Sequence, residues 1–150
     1  MTSPAAAPSI ALEHRFHLAI AVHSLEAARA FYGGALGCPE GRSAEHWVDF
    51  NLHGHQLVAH LDPDRKAHVA LTNAVDGDAV PVPHFGLLLR PDAWQELAEQ
   101  ITAAGYEFVI EPHVRFEGEV GEQHTMFLYD PSGNALEFKA FADDSQVFAR

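Results

Sequence analysis

One cysteine, Cys38, stands among 150 residues, so no disulfide can form within the chain. That scarcity suits a reducing compartment, and the expected location is cytoplasmic. Basic residues are also few: 9 Lys and Arg against 21 Asp and Glu give a formal charge of −12. A chain this acidic repels phosphate backbones and anionic lipid surfaces, which argues against nucleic acid and membrane as partners. No apolar run approaches the roughly 20 residues of a membrane-spanning helix. Residues Met1 to Ser9 are rich in Ala and Pro and carry no basic segment. Positions 1–13 are therefore expected to form a disordered tail, not a signal peptide. A glycine-rich phosphate loop, a serine-hydrolase elbow and zinc-finger spacing are all missing.

What is present is a pattern written twice. Phe16 to Val22 alternates like a strand, and Ser24 then offers an N-cap to a helix whose apolar face holds Leu25, Ala28, Phe31 and Tyr32. Gly37 can stop that helix. Strand-like runs follow at His46 to Leu52 and Gln56 to Leu61, then a looser segment, Asp62 to Pro83, with a turn expected at Asp76-Gly77. The order then returns. His84 to Leu89 reads as a strand, and Pro91 to Ile101 as a helix with a stripe of Trp94, Leu97, Ala98 and Ile101, closed by Gly105. Further strands are expected at Tyr106 to Ile110, His124 to Tyr129 and Ala135 to Phe141, the last two joined by the turn Asp130-Pro-Ser-Gly-Asn. His17 and His84 are 67 residues apart, and Gly37 and Gly105 are 68 apart. This near-constant offset points to a duplication, with one domain over 14–150: module one at about 14–62, a linker at 63–82 and module two at about 83–142. An α+β fold with a cupped surface and helices on its convex side is expected.

Strand parity assigns faces. Phe16, Leu18 and Ile20 share one face of the first strand, and Phe85, Leu87 and Leu89 its counterpart in the second module; these should pack on the helices. His17 and His84 then point the other way, beside Ala19 and Gly86. In the last strand Glu137 lies between Leu136 and Phe138, and a carboxylate in such a strand is costly to bury without compensation. A divalent cation supplies it. Two histidines and a carboxylate form a facial triad with three open positions, suited to Fe(II) or Mn, with Zn, Ni or Co also allowed. His60 shares a face with Gln56 and Val58 and lies roughly where Glu137 lies in module two. A fourth ligand there would favour Lewis-acid work. The match is offset, however: Gly54 to His60 spans six residues, Gly133 to Glu137 only four. Arg115 is a candidate clamp for an anionic substrate. Cys38, in a helix-stop region with no nearby base, is expected to be structural. His14, His23, His46, His53, His55, His68 and His113 read most simply as solvent-exposed.

Taken in order, Phe16-His17-Leu-Ala-Ile, Phe31-Tyr32-Gly-Gly-Ala-Leu-Gly37, Pro83-His84-Phe-Gly and Asp130-Pro-Ser-Gly-Asn-Ala-Leu-Glu137-Phe resemble the glyoxalase/bleomycin-resistance/extradiol-dioxygenase superfamily, also called vicinal oxygen chelate proteins. The likeness spans about residues 14 to 142. It implies two βαβββ modules forming a barrel-like mixed sheet, with one divalent metal in the cup at His17, His84 and Glu137. In glyoxalase-type relatives the position nearest His60 also binds metal. Extradiol dioxygenases use the triad alone and carry a catalytic histidine and tyrosine before the final turn. His124 is the candidate for the first, at a shorter spacing, and Phe127 stands near the place of the second.

The sequence thus points to a metal-dependent enzyme acting on a small molecule with two vicinal oxygens, dioxygenase-like with a catechol-type substrate. A glyoxalase-like lyase or isomerase is the alternative, and a non-catalytic drug-binding resistance protein the second. Candidate catalytic groups are His60 and His124; candidate substrate contacts are Gln56, Arg115 and Phe127. The cup can close within one chain or across a homodimer.

Overall fold

A computed structural model describes residues 14–66 and 71–150. The expected tail at 1–13 and His68 lie outside the described residues. The expected duplication is visible in the strand orders. Strand β1 (His17–Val22) leads into helix α1 (Leu25–Ala28), which continues as a π-helical stretch over Arg29–Ala35. Strands β2 (Glu40–Ala44), β3 (Trp47–Leu52) and β4 (His55–Leu61) complete the first module. A hairpin follows, β5 (Leu71–Val75) and β6 (Asp78–Val82). The second module is β7 (Phe85–Leu88), α2 (Pro91–Ala103), β8 (Ile110–Arg115), β9 (Gln123–Tyr129) and β10 (Ala135–Phe141). The two four-stranded sheets have the orders β1-β4-β3-β2 and β7-β10-β9-β8. Each places its first strand parallel to its last and beside it, the arrangement that a crossover helix permits.

The local signals act as their chemistry predicts. Ser24 caps α1 by accepting from the Ala27 N–H, and Pro91 opens α2, where a missing donor costs nothing. Gly37 and Gly105 follow the two helices at φ +68° and +84°, a conformation that favours glycine. The helix-facing sides of both sheets feed one core. Phe31, Tyr32, Phe50 and Leu57 of module one cluster with Trp94, Ile101, Leu136 and Phe138 of module two. Leu18, Ile20, Phe85, Leu87 and Leu89 pack against that core, as parity required.

Four expectations need correction. Phe16 does not reach the core; it is 63% exposed, just ahead of β1 at a sheet edge. The strand expected at Tyr106 to Ile110 instead runs Ile110–Arg115. Tyr106 and Phe108 do pack on the core, but as irregular chain, so their apolar spacing imitated a strand. Pro112 is tolerated in β8 because that strand is an edge. Strand β2 has five exposed residues, so no apolar alternation announced it. The segment expected as a loose linker holds the β5–β6 hairpin, turned at Asp76-Gly77 with both residues at positive φ.

The two modules are fastened where the Asp130 turn meets the end of β1. The Asp130 carboxylate accepts from the Ser132 and Asn134 N–H groups, from the Asn134 amide and from Tyr32. The Asn134 amide also donates to the Ala21 carbonyl, and Arg65 reaches the Asn134 side chain. The Tyr32 hydroxyl is buried and donates to Asp130 Oδ2 at 2.7 Å. Tyr32→Phe removes a hydrogen bond to a charged group, so it is expected to lower unfolding stability by about 1.5–3 kcal/mol in denaturant titration. A loss under about 0.5 kcal/mol would show that this tie does not hold the modules together.

Candidate functional site

In the second module, parity brings chemistry to one face of the sheet. Glu137 pairs in register with Gly86 on β7 and with Phe127 on β9. Any side chain at Gly86 would overlap the Glu137 carbonyl, so the close approach of β7 and β10 depends on that glycine. The Glu137 carboxylate is only 4% exposed. Thr125 Oγ1 donates to its Oε1 at 2.7 Å, and Arg115 Nη1 lies 3.6 Å from the same oxygen. Its Oε2 faces His84 Nε2 at 3.0 Å, with Lys139 Nζ at 3.8 Å. His84 Nδ1 sits 2.7 Å from the Pro81 carbonyl, a contact in which the ring N–H donates.

These contacts set both protonation states. The hydrogen bond to Glu137 holds the His84 imidazole above its ordinary 6.5, outweighing partial burial. Burial pushes the Glu137 carboxyl up, but the hydrogen bonds from His84 and Thr125 and the charge of Lys139 outweigh it and hold the group below 4.5.

The pair also fits two of the three expected ligands of a metal site. Two ligand atoms about 2.1 Å from one ion and at right angles to each other lie about 3 Å apart, matching the spacing of His84 Nε2 and Glu137 Oε2. Each is oriented from behind, His84 by Pro81 and Glu137 by Thr125, as ligating groups commonly are. The third expected ligand is elsewhere. His17 is exposed on the first sheet, with Nδ1 2.8 Å from Gln56 Oε1, and Gln56 reaches Asp49 Oδ2 at 3.4 Å. A cavity of about 380 Å³ lies here, lined by Arg15, His17, Asp49 and Gln56 among others. Among the described residues, no three His, Cys, Asp or Glu side chains lie close enough together to hold one ion. One chain therefore brings His84 and Glu137 together and leaves His17 apart.

The remaining candidates separate by face. His60 is exposed on the cup side of β4, in register with Ala21, whereas Val58 is in register with Ala19. Since Ala19 corresponds to Gly86, Val58 is the counterpart of Glu137. His60 falls two residues further on, about 6 to 7 Å along the strand. His124 lies on the opposite face of β9 from Phe127, its ring 5.1 Å from Trp94 of α2. Phe127 is fully buried beneath the His84 ring at 5.0 Å, with the Arg115 guanidinium 6.0 Å from its centre. Cys38 is buried, which pushes its thiol up to about 11 and suits a structural role.

The comparisons with known proteins agree with the fold. The family model described as the glyoxalase/bleomycin resistance protein/dioxygenase superfamily matches residues 15–138. The chain belongs to this superfamily. A glyoxalase/bleomycin resistance protein/dioxygenase from Alicyclobacillus acidocaldarius is 33% identical, with 91% of this chain and 97% of that one covered at a TM-score of 0.77. At lower identity the likeness is of fold alone. The genomically encoded fosfomycin resistance protein FosX from Listeria monocytogenes is 18% identical, covers 87% and 93%, and has a TM-score of 0.61. A lactoylglutathione lyase from Agrobacterium tumefaciens is 17% identical, covers 86% and 94%, and has a TM-score of 0.59. None of the curated proteins matches the chain.

Within this superfamily fold, sequence reasoning passed over two residues. His113, expected to be solvent-exposed, is half-buried, with Nε2 2.8 Å from Asp78 Oδ2. Asp78 was expected only as part of a linker, and it also takes Arg115 Nη2 at 2.8 Å. The parity of β8 would have put His113 on the face of Arg115, had that strand been placed at Ile110–Arg115; Asp78 arrives from β6 and gave no such signal.

The pH dependence follows from the two shifts. The raised His84 value contributes stability that is complete below 6.5 and disappears as pH rises through the folded value. The lowered Glu137 value contributes stability that is complete above 4.5 and disappears as pH falls through its folded value. In metal-free protein the pair is therefore strongest between 4.5 and 6.5. In NMR titrations of that protein, His84 is expected to titrate above its ordinary value and to return toward it in Glu137→Gln. An identical His84 titration in both proteins would contradict the assigned pairing.

Proposed function

We propose that the chain is a divalent-metal-dependent enzyme for a small substrate bearing two vicinal oxygens, with His17, His84 and Glu137 as the protein ligands. The observation that carries this reading is the His84–Glu137 pair: spaced as two ligands of one ion and each oriented from behind, whereas the first sheet has Val58 at the place of Glu137. Because His17 stands apart from that pair in one chain, we take it from a second copy, so that a homodimer completes the site. The exposed apolar side chains of Phe16, next to His17, and of Leu88, on the His84 face of β7, support burial of these edges in such a dimer.

A bound Fe(II) or Mn would hold the two substrate oxygens side by side and polarise them. The protein's own residues do the rest. Thr125 and Arg115 fix one oxygen of Glu137, leaving the other to face the centre. Phe127 forms an apolar floor that keeps water from the underside of the site. Arg115, buried and paired with Asp78, would meet an anionic group of the substrate where that pair opens. Gln56 lines the module-one cavity beside His17 and is a further substrate contact.

With His17, His84 and Glu137 as the protein ligands, a bound metal would keep places for a chelated substrate and O₂, the arrangement that dioxygenase-like chemistry on a catechol-type compound would use. His60 would then move protons without binding metal. A Lewis-acid, glyoxalase-like reaction is the second reading. It is supported by the placement of His124 against Trp94, which removes one expected proton-transfer group from the cup.

Catechol-dependent O₂ uptake is expected in wild type, while His60→Ala keeps metal and loses most turnover. No O₂ uptake, with turnover of a 2-oxoaldehyde adduct instead, would favour the second reading. The dimer is tested by co-expression. His17→Ala and Glu137→Ala should each be inactive alone, and mixed dimers should regain activity through one intact site. Absence of recovery in verified mixed dimers would place the whole site within one chain.

A further inference from the structure

Arg115 is the most constrained cation among the described residues. It is 3% exposed, on edge strand β8, and its guanidinium has acidic neighbours on two sides. Nη1 lies 3.6 Å from Glu137 and Nη2 lies 2.8 Å from Asp78 Oδ2. Its Nε is buried and has no hydrogen-bond partner. An arginine presents Nε–H and one Nη–H as a parallel fork, which a carboxylate fills with both oxygens. Asp78 fills only the Nη2 tine, and the same Oδ2 also takes His113 Nε2 at 2.8 Å. The side chain paired in register with Arg115, Gln123, is also buried and has its own unpartnered Oε1. A buried donor left without a partner costs free energy, so a group that completes the fork is favoured there.

Asp78 does not belong to the sheet that carries Arg115. It opens β6, in the hairpin between the modules, and its side chain is partly exposed. The hairpin holds to β8 by a second carboxylate as well, Asp76 accepting from the Phe116 N–H. Removal of Asp78 alone would thus leave one attachment in place and Arg115 without its short ion pair.

We propose that Arg115 and His113 form a carboxylate-binding subsite beside Glu137, and that Asp78 occupies it as an internal substitute until a substrate carboxylate exchanges with it. This deepens the reading of the site as a vicinal-oxygen centre by naming the substrate class: a small organic acid whose carboxylate engages Arg115 while its two oxygens reach the His84–Glu137 side. The chemistry of the subsite is already displayed, since the group seated in it is a carboxylate. Exchange replaces a contact through one Asp78 oxygen by a two-oxygen contact and satisfies Nε.

The test uses benzoate and its neutral counterpart benzyl alcohol as probes, on the full chain, at fixed ionic strength. Neither probe needs metal or vicinal oxygens. Asp78→Ala is expected to bind benzoate at least about tenfold more tightly than wild type, the scale of one charge-assisted pair freed from competition. Benzyl alcohol affinity should not change. Arg115→Lys in the same background keeps the charge but not the fork and should lose most of the gain; Arg115→Met should lose all of it. Unfolding curves identify any variant that fails to fold, and Arg115→Lys then carries the comparison. Equal benzoate binding in wild type and Asp78→Ala overturns the proposal and makes Asp78 a fastening of the hairpin. An equal gain for benzyl alcohol also overturns it, because the substitution would then only have opened space. Benzoate exchange without any vicinal-oxygen turnover would leave the subsite standing and remove the functional reading. Turnover of catechol with no benzoate effect would do the reverse.

Discussion

A carboxylate in the middle of a sheet is the constraint around which this molecule is arranged. Glu137 sits between Leu136 and Phe138, with both neighbours in the core and its own oxygens almost wholly shielded. An isolated charge there would cost several kcal/mol. The surrounding strands supply what it needs: a hydroxyl from β9, a guanidinium from β8, an ammonium two residues on, and an imidazole at the start of β7. Gly86 lets β7 come close enough for the imidazole to arrive. Removing one partner leaves the others facing an unbalanced charge, so these residues act as a group, not as separate contacts.

Duplication explains the architecture, and departures from duplication explain the chemistry. Both modules have the same strand order and a histidine at matching places. The first has Val58 where the second has Glu137, and it holds its histidine against Gln56 instead of a carboxylate. The hairpin belongs to neither repeat. It brings Asp78 and the Pro81 carbonyl to the second sheet, where one contacts Arg115 and the other orients His84.

Much of this was legible in the sequence because periodicity reports faces. The alternation in β1 and β10 assigned His17 and Glu137 to the cup side, and helix signals at Ser24, Gly37, Pro91 and Gly105 placed both helices. What was not legible had no periodic signal. β2 is polar and exposed throughout, and β8 begins where apolar residues stop and contains a proline. The Arg115–Asp78–His113 cluster joins residues 37 apart through a hairpin whose position depends on tertiary packing. The histidine spacing gave no sign that His17 would stand apart from the His84–Glu137 pair within one chain. The His60 offset was visible as a count of residues, but its meaning came only from the strand register.

The central claim is that the His84–Glu137 pair is part of a metal centre and not an ion pair alone. Elemental analysis of protein purified without a histidine tag, beside Glu137→Gln prepared identically, tests it most directly. Gln preserves shape and removes the charged ligand oxygen. The account predicts close to one divalent ion per chain in wild type and little in the variant. Equal metal content in both proteins, or none in wild type after reconstitution with Fe(II) or Mn, would contradict it.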